Sequence, residues 1–260
     1  MWYIKLLGHL IIIILLTVFT QIGGLIWIFA LLLSVKLKKK KRYIFPVLYL
    51  IFNILIVPPI AKQFGREQLP VLFGNVKPRN IVYPLLFRNY VTCELRNVLE
   101  NSSENLKQNH IKITYLDANF PFMNGFPLLP HLSHNDGNKI DISFMYIEKN
   151  GRSTNKKPSI SGYGAYINSE LNYTSNSCLE NGYWQYDFPK YLTFGTIHDL
   201  KLDKKSTTAL IKEFLSKKST QKIFIEPHLK ASLGLNSEEK IRFHGCQAVR
   251  HDDHIHLQVK

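Results

Sequence analysis

The first 61 residues are almost wholly apolar, and no other property of the chain constrains its fold as strongly. No Asp or Glu occurs before Glu67. Two stretches, Leu10 to Val35 and Tyr43 to Ala61, are each long enough to cross a bilayer, because a spanning helix needs about 20 apolar residues. The sequence therefore predicts a membrane anchor at residues 1–62 with two transmembrane helices, or with three if Gln21 to Gly24 forms a turn.

A basic segment between these stretches, residues 36–42, indicates how the anchor is oriented. Six of its seven residues are Lys or Arg, and short loops of this kind stay in the cytoplasm. The second apolar stretch then runs outward, whatever the number of helices before it. We expect a multi-pass protein of the cytoplasmic (inner) membrane with the rest of the chain on the periplasmic or extracellular side. No small-residue cleavage site precedes the second stretch, so a signal peptide is a poorer interpretation.

The net charge of +14 has to be divided between the two parts of the chain. Eight basic residues lie in the first 62 positions, and subtracting them leaves +6 for the remainder. This modest excess suits contact with an anionic envelope or with acidic peptides, and it equally fits a general richness in Lys. The sequence contains no nucleic-acid-binding motif, and we expect no nucleic-acid partner.

Beyond the anchor the chain has a globular composition, and two prolines mark residues 63–80 as a linker. Apolar periodicity and β-branched runs predict helices and strands within residues 81–260. The predicted elements are two helices at 89–107 and 207–217, four strands at 111–120, 140–147, 222–226 and 254–259, and a polar loop at 151–187. This order indicates an α+β fold, with flanking helices on an antiparallel sheet that carries the functional site.

The three cysteines, Cys93, Cys178 and Cys246, form no C-x-x-C pair. Their spacing argues against a zinc ribbon or a thioredoxin-like redox centre, so a metal would be held by His and carboxylate side chains. In an oxidising compartment Cys178 could pair with Cys246, since both lie in the same predicted domain, although three cysteines allow three pairings.

Half of the ten histidines lie in two short segments that also contain carboxylates. In the first segment His134 precedes an Asn-Asp-Gly-Asn turn, and Asp141 lies just inside the strand that follows. A tight reversal at Gly137 could bring both side chains to one point.

The second segment, His251 to His256, lies on and just before the last predicted strand. His254 and His256 are two positions apart, so their side chains leave the same face of the strand, roughly 6.5 to 7 Å apart. Both could therefore share one metal centre.

Three protein ligands and an open fourth position are typical of a catalytic zinc site. His134, Asp141 and His256 would supply such a set. Zinc is favoured by the ligand types alone, and other first-row metals accept the same set.

Further residues of the second segment suit proton transfer. An imidazole beside the metal, His254 or His251, could act as general base toward water and then return the proton to a leaving amine. Asp252 or Asp253 could orient one of these imidazoles.

The two segments resemble the signature of the LAS metallopeptidases, the group named for lysostaphin, D-Ala-D-Ala carboxypeptidase and Sonic hedgehog. The similarity is closest to the penicillin-insensitive murein endopeptidases, which have H-x-x-H-x-x-G-x-x-x-D and H-x-x-H-x-H. The matching positions here are His131, His134, Gly137 and Asp141, then His251, His254 and His256. The match covers the motifs and their flanking strands, and the membrane anchor has no counterpart in the secreted members.

The resemblance implies a Zn²⁺ enzyme that hydrolyses amide bonds in peptidoglycan (murein) cross-links or stem peptides. It implies that His134, Asp141 and His256 bind zinc, that His254 and His251 are catalytic, and that His131 is an accessory ligand. The sequence lacks further ligands typical of the murein endopeptidases, which leaves a second metal doubtful. It also lacks the Glu that other members place before the final His pair, which favours a His-based mechanism.

Two other functions remain open at this stage. The chain could be a catalytically inactive, zinc-containing module that binds peptidoglycan or senses it, or a peptidase of this type with a non-murein peptide substrate. Four isolated histidines are interpreted as structural or exposed, with the last the least secure because it lies close to Cys246: His110, His198, His228 and His244. Several aromatic residues could line a cleft but are more often packing residues: Tyr163, Tyr166, Tyr183, Trp184 and Tyr186. The same holds for Phe122, Met123, Phe126 and Leu128, just before the first motif.

Overall fold

The apolar N-terminal region is helical in the computed structural model, which describes residues 2–167 and 173–260. The helices are α1 (Trp2–Thr20), α2 (Gly23–Lys36), α3 (Lys41–Ile51) and α4 (Val57–Gln63), and a π-helical turn, Phe52–Ile56, joins α3 to α4. Two helical segments are long and apolar enough to cross a membrane, Trp2–Thr20 and Lys41–Gln63, whereas α2 has 14 residues.

The stretch from Leu10 to Val35 is two helices rather than one. Gln21 has a φ of 66°, outside the helical region, and it ends α1. Gly24 lets α2 return close to α1, because a Cβ there would lie 2.2 Å from Oγ1 of Thr17. Small residues of this kind allow the backbones of two apolar helices to approach.

The central element of the globular part is a six-stranded sheet. Its strands in spatial order are β10 (Ile241–Arg242), β9 (Thr220–Phe224), β11 (His254–Val259), β5 (Lys139–Ser143), β4 (Ile113–Tyr115) and β2 (Val76–Pro78). Smaller sheets are formed by β1 (Glu67–Gln68) with β3 (Tyr90–Val91), and by β6 (Tyr146–Ile147) with β7 (Ser153–Thr154) and β8 (Lys201–Leu202). The α+β class is confirmed.

The expectation of an antiparallel sheet holds only for its centre. Strands β9, β11, β5 and β4 are antiparallel, but the two edge pairs, β10 with β9 and β2 with β4, are parallel. Parallel neighbours need a crossover connection, usually helical. Helix α6 (Cys93–Asn105) lies between β2 and β4, and α9 (Pro227–Ser232) lies between β9 and β10.

One face of the sheet packs on helices and forms the main core. Alternate residues of β5 and β11, such as Ile142 and Leu257, are fully buried in one cluster with Leu99 of α6 and Phe214 of α8 (Lys204–Leu215). Fully burying such a side chain contributes about 1.5–3 kcal/mol. The intervening residues of β5 and β11 face the opposite side of the sheet and include the polar side chains of Asp141, His254 and His256.

The structure corrects several predicted boundaries. Residues of the expected linker form β1 and β2, because Val76 is buried in the main core. The predicted loop at 151–187 contains β7 and a helix, α7 (Tyr173–Glu180), and a 3₁₀ segment follows at Trp184–Thr193; its residues 168–172 lie outside the described part of the chain. Helix α7 lacks apolar periodicity and is tied to the fold by a disulfide between Cys178 and Cys246, while Cys93 is free and exposed.

Anchor and globular part share a second apolar cluster. It contains Ile26 of α2, Val57 and Ala61 of α4, and Phe87 and Phe120 of the globular part. A short helix, α5 (Val82–Leu85), precedes Phe87. The predicted role of Phe122, Phe126 and Leu128 in packing is confirmed, since they pack in the same cluster. The anchor is therefore part of the folded body and not a separate tether.

Candidate metal centre

Strand pairing brings Asp141 and His256 together. The two residues are direct cross-strand partners in the antiparallel pair of β5 and β11, so their side chains leave the same face of the sheet. His254 pairs with Ser143 and lies on that face as well. All three side chains are buried, and the expectation that His254 and His256 share a face is confirmed.

His134 reaches the same point from a loop. The turn before β5 reverses at Gly137, whose φ of 84° suits glycine, and a Cβ there would lie 2.1 Å from a guanidinium nitrogen of Arg66. Nδ1 of His134 lies 2.8 Å from the carbonyl oxygen of Ala118. A carbonyl can only accept, so Nδ1 carries a proton, and in the neutral form of the ring Nε2 is the atom left to bind a metal ion.

Three side-chain atoms converge in this buried space. Nε2 of His134 lies 3.1 Å from Nδ1 of His256 and 3.2 Å from Oδ1 of Asp141, and the last two atoms are 2.9 Å apart. Nδ1 of His256 can donate to Oδ1 of Asp141 in one tautomer; in the other tautomer all three atoms are acceptors, which repel one another unless a cation lies between them. His134, Asp141 and His256 could therefore hold a metal ion.

Hydrogen bonds orient the carboxylate of Asp141. Its second oxygen, Oδ2, accepts a hydrogen bond of 2.7 Å from the hydroxyl of Tyr163, which is itself buried. The backbone N–H of Asp117 donates to the same hydroxyl oxygen at 3.1 Å. Such partners fix the direction of a metal-binding carboxylate.

We call His134, Asp141 and His256 the triad. His131 lies beside the triad but not within it. Its Nδ1 is 2.7 Å from Oδ2 of Asp117 and 3.7 Å from Oδ2 of Asp141. Asp117 in turn forms a buried ion pair with Arg88. These distances give His131 a supporting position and do not include it among the three converging ligands.

His254 is held by its neighbour. Nδ1 of His254 is hydrogen-bonded to Asp253, and Nε2 points toward the triad, 3.6 Å from Oδ1 of Asp141. Burial lowers the pKa of His254, but the carboxylates of Asp141 and Asp253 outweigh burial and raise it to about 9. Of the two aspartates that could orient an imidazole, Asp253 does so, whereas Asp252 pairs with Arg250.

The ring of His251 lies next to that of His254, and the two ring centroids are 4.9 Å apart. Its backbone N–H donates to the buried carboxylate of Glu226, which also accepts a hydrogen bond from Tyr186. Burial, followed by the neighbouring imidazoles of His254 and His256, holds the pKa of His251 well below its usual value. This ring is therefore neutral at physiological pH.

The triad itself is ready to bind a cation. Burial raises the pKa of Asp141, but the surrounding imidazoles, His134 first, outweigh it and keep the pKa well below its usual range. Burial lowers the pKa of His256 to about 3. An ionised carboxylate and a neutral imidazole are the protonation states that metal binding requires.

A cleft of about 430 Å³ opens onto these rings. Its lining residues come from three segments: Pro130 to Ser133, Gln185, and the stretch from His244 to His256. Several buried ring nitrogens have no hydrogen-bond partner among the described residues, namely Nε2 of His131, His254 and His256 and Nδ1 of His251. Buried polar atoms are normally satisfied, and three of these rings, His131, His251 and His256, line the cleft, which makes this wall a candidate ligand site. A larger cavity of about 630 Å³, around Arg79 and Lys157, contains no residue of the triad.

Sequence reasoning missed part of this site. His244, interpreted as structural or exposed, lines the cleft and stacks on Phe224 with a centroid distance of 4.1 Å; its closeness to Cys246 was the available signal. Tyr163 was interpreted as packing, yet it binds Asp141. Nothing in the local sequence distinguishes Asp117 or Arg88, because their partners are distant along the chain.

No protein-family model matches the chain, and no curated protein matches it either.

Proposed function

We propose that the protein is a zinc-dependent peptidase of the cytoplasmic membrane that hydrolyses amide bonds in peptidoglycan cross-links or stem peptides. The observation that carries the proposal is the convergence of three buried side-chain atoms that can bind a metal ion, 2.9 to 3.2 Å apart, under a cleft lined by further imidazoles. The similarity of both His segments to the murein endopeptidase motifs and the outward orientation expected from the basic segment, residues 36–42, support the choice of substrate.

Zinc fits this ligand set. Ligands about 2.0 to 2.1 Å from a tetrahedral ion lie roughly 3.3 Å from one another, close to the separations in the triad. His134 would bind through Nε2, Asp141 through Oδ1 and His256 through Nδ1. When bound, zinc would polarise the scissile carbonyl and lower the pKa of water.

The protein's own residues would move the proton. Nε2 of His254, buried and without a partner among the described residues, accepts a proton from the attacking water and returns it to the leaving amine. The carboxylate of Asp253 holds the ring in the required tautomer. Positive charge near Asp141 would offset the attraction that raises the pKa of His254 and so bring it toward neutrality.

His251 would have a different role. Its neutral ring lines the cleft and can donate a hydrogen bond to the oxygen that becomes negative as the amide is attacked. Its position is fixed by Glu226. The two imidazoles thus divide proton transfer and oxyanion stabilisation between them.

The test uses the full chain purified in detergent with equimolar zinc and intact peptidoglycan. Zinc is counted by mass spectrometry, and muropeptides are separated by chromatography. We expect about one zinc per chain and conversion of cross-linked muropeptides to smaller products. His254→Ala should keep zinc and lose roughly 10²- to 10⁴-fold in rate, whereas His110→Ala, at an exposed histidine, should match the wild type.

Each contrary result has a definite meaning. If the chain binds no zinc, the proposal of a zinc-dependent peptidase is wrong. Bound zinc with intact muropeptides contradicts the murein substrate; cleavage of unrelated peptides would then support a different peptidase, and binding without cleavage would support a recognition module.

A further inference from the structure

The turn between α1 and α2 is bonded to the globular part. The backbone N–H of Phe122 donates to Oε1 of Gln21 at 2.9 Å, and the side chain of Gln21 is buried. Phe122 therefore lies at the same level along the anchor as the turn.

The length of α2 shows how deep this level is. Fourteen residues span about 21 Å along a helix axis, whereas the hydrocarbon of a bilayer is about 30 Å thick. If the basic segment, residues 36–42, lies at the cytoplasmic surface, the turn at Gln21 ends roughly 10 Å short of the outer surface. Tilting α2 would place Gln21 deeper still.

A second pair of contacts, on another helix, gives the same result from the same reference level. The hydroxyl of Tyr49 donates to the carbonyl oxygen of Leu85 at 2.7 Å, and Nδ2 of Asn53 donates to that of Pro84 at 2.9 Å. Tyr49 and Asn53 lie about 12 and 18 Å along the helix from Lys41. Backbone that is not part of a spanning helix is tolerated at such depth only where protein groups satisfy it, and these two side chains do so.

The segments concerned have apolar surfaces. Residues 81–87 and 120–126 contain no charged side chain. Ile81 and Val82 are each 51% exposed and Met123 is 63% exposed. We call residues 81–87 and 120–126 the membrane face.

We propose that the membrane face is immersed in the hydrocarbon of the outer leaflet, with lipid chains as its partner. The proposal rests on the outward orientation in the proposed function and is independent of zinc and catalysis. The globular part then does not project from the bilayer on a stalk but is partly embedded in it.

Spin labels on single cysteines test this immersion in the full chain. In a Cys93→Ser background the disulfide leaves no other thiol. Nitroxides are placed at Val82→Cys and Met123→Cys in phosphatidylethanolamine and phosphatidylglycerol vesicles. Collision with oxygen, which concentrates in hydrocarbon, is compared with collision with a water-soluble nickel chelate.

Two further positions calibrate the readout. Ile54→Cys, on the anchor and 64% exposed, reports hydrocarbon, and Ser237→Cys reports water from a loop beside β10, at the opposite edge of the sheet from β2. We expect positions 82 and 123 to match position 54. Labels at 82 and 123 that match position 237 would overturn the proposal, and so would a water-like label at position 54. Zinc content and muropeptide cleavage of the same variants show separately whether the proposed function holds.

Discussion

The site is assembled from two kinds of backbone. Its strand half consists of Asp141, His254 and His256, which adjacent antiparallel strands hold in register. Its loop half consists of His131, His134 and Tyr163, which lie outside the regular elements and whose side chains are held by one or two hydrogen bonds, such as that from His134 to Ala118. The strand half is positioned by many cooperative contacts, whereas each member of the loop half depends on one or two polar partners.

The largest effect should come from single variants that each remove one zinc ligand, His134 from the loop half or His256 from the strand half. Because three ligands define the site, His134→Ala and His256→Ala should both abolish stoichiometric zinc and reduce cleavage to background. Zinc titration followed by thermal unfolding measures this, since an ion that binds only the folded state raises its stability. His198→Ala, at an exposed histidine, is the matched control. A His134 variant that still binds zinc tightly would mean that the loop half is not part of the metal site.

A smaller effect is expected from the partner of Asp141. Tyr163→Phe removes the hydrogen bond to Oδ2 and should weaken zinc about 10- to 100-fold without changing the number of sites. Competition with a fluorescent chelator measures the affinity. Tyr115→Phe is matched, because Tyr115 is equally buried and its hydroxyl donates to Pro70 instead. Equal zinc affinity in the two variants would show that the loop half does not orient the carboxylate.

Substitutions at two glycines distinguish the effect of backbone strain on stability from an effect of the Gly137 turn on zinc binding. Gly137 and Gly151 have φ values of 84° and 79°, so Ala at either should cost about 1–2 kcal/mol in unfolding free energy. Only Gly137→Ala also meets Arg66, whereas a Cβ on Gly151 meets nothing within 4 Å. We expect a further several-fold loss of zinc affinity in Gly137→Ala alone, measured by the same competition. Equal zinc affinity in both variants would contradict the link between this turn and His134.

Sequence reasoning identified the strand half and both histidines of the loop half, but it missed the role of Tyr163. Alternation along His254-Ile-His256 places both imidazoles on one face, and the structure confirms it. The Asn-Asp-Gly-Asn sequence likewise predicted the chain reversal at Gly137, where φ is positive.

What could not be predicted depends on contacts between distant residues. Asp117 meets His131, and Tyr163 meets Asp141, without any local pattern. The parallel edge strands were missed because β2 and β10 are three and two residues long, too short to show periodicity.

The smallest expected effect concerns Lys157, in the loop that also carries Tyr163. Its ammonium group is buried and donates to the carbonyl oxygen of Phe144 at 2.8 Å, next to the end of β5. Burial, with Arg79 and Lys77 nearby, lowers its pKa from 10.5 to about 7. Between these values the unfolded chain binds more protons than the folded one, so the free energy of unfolding rises with pH. The rise should be on the order of 1 kcal/mol or less between pH 6.5 and 7.5.

Lys157→Met should remove this part of the pH dependence, while Lys156→Met, at a neighbouring exposed lysine, should leave it unchanged. Denaturant unfolding of the metal-free chain at both pH values isolates the effect from zinc binding. The shifted pKa values of Asp141, His254 and His256 in the strand half add their own pH dependence, which both lysine variants share and which therefore cancels in the comparison. If the unfolding free energy of Lys157→Met rises with pH as steeply as that of the wild type, the pH dependence comes from other groups. The contact of Lys157 with Phe144 would then contribute nothing to it.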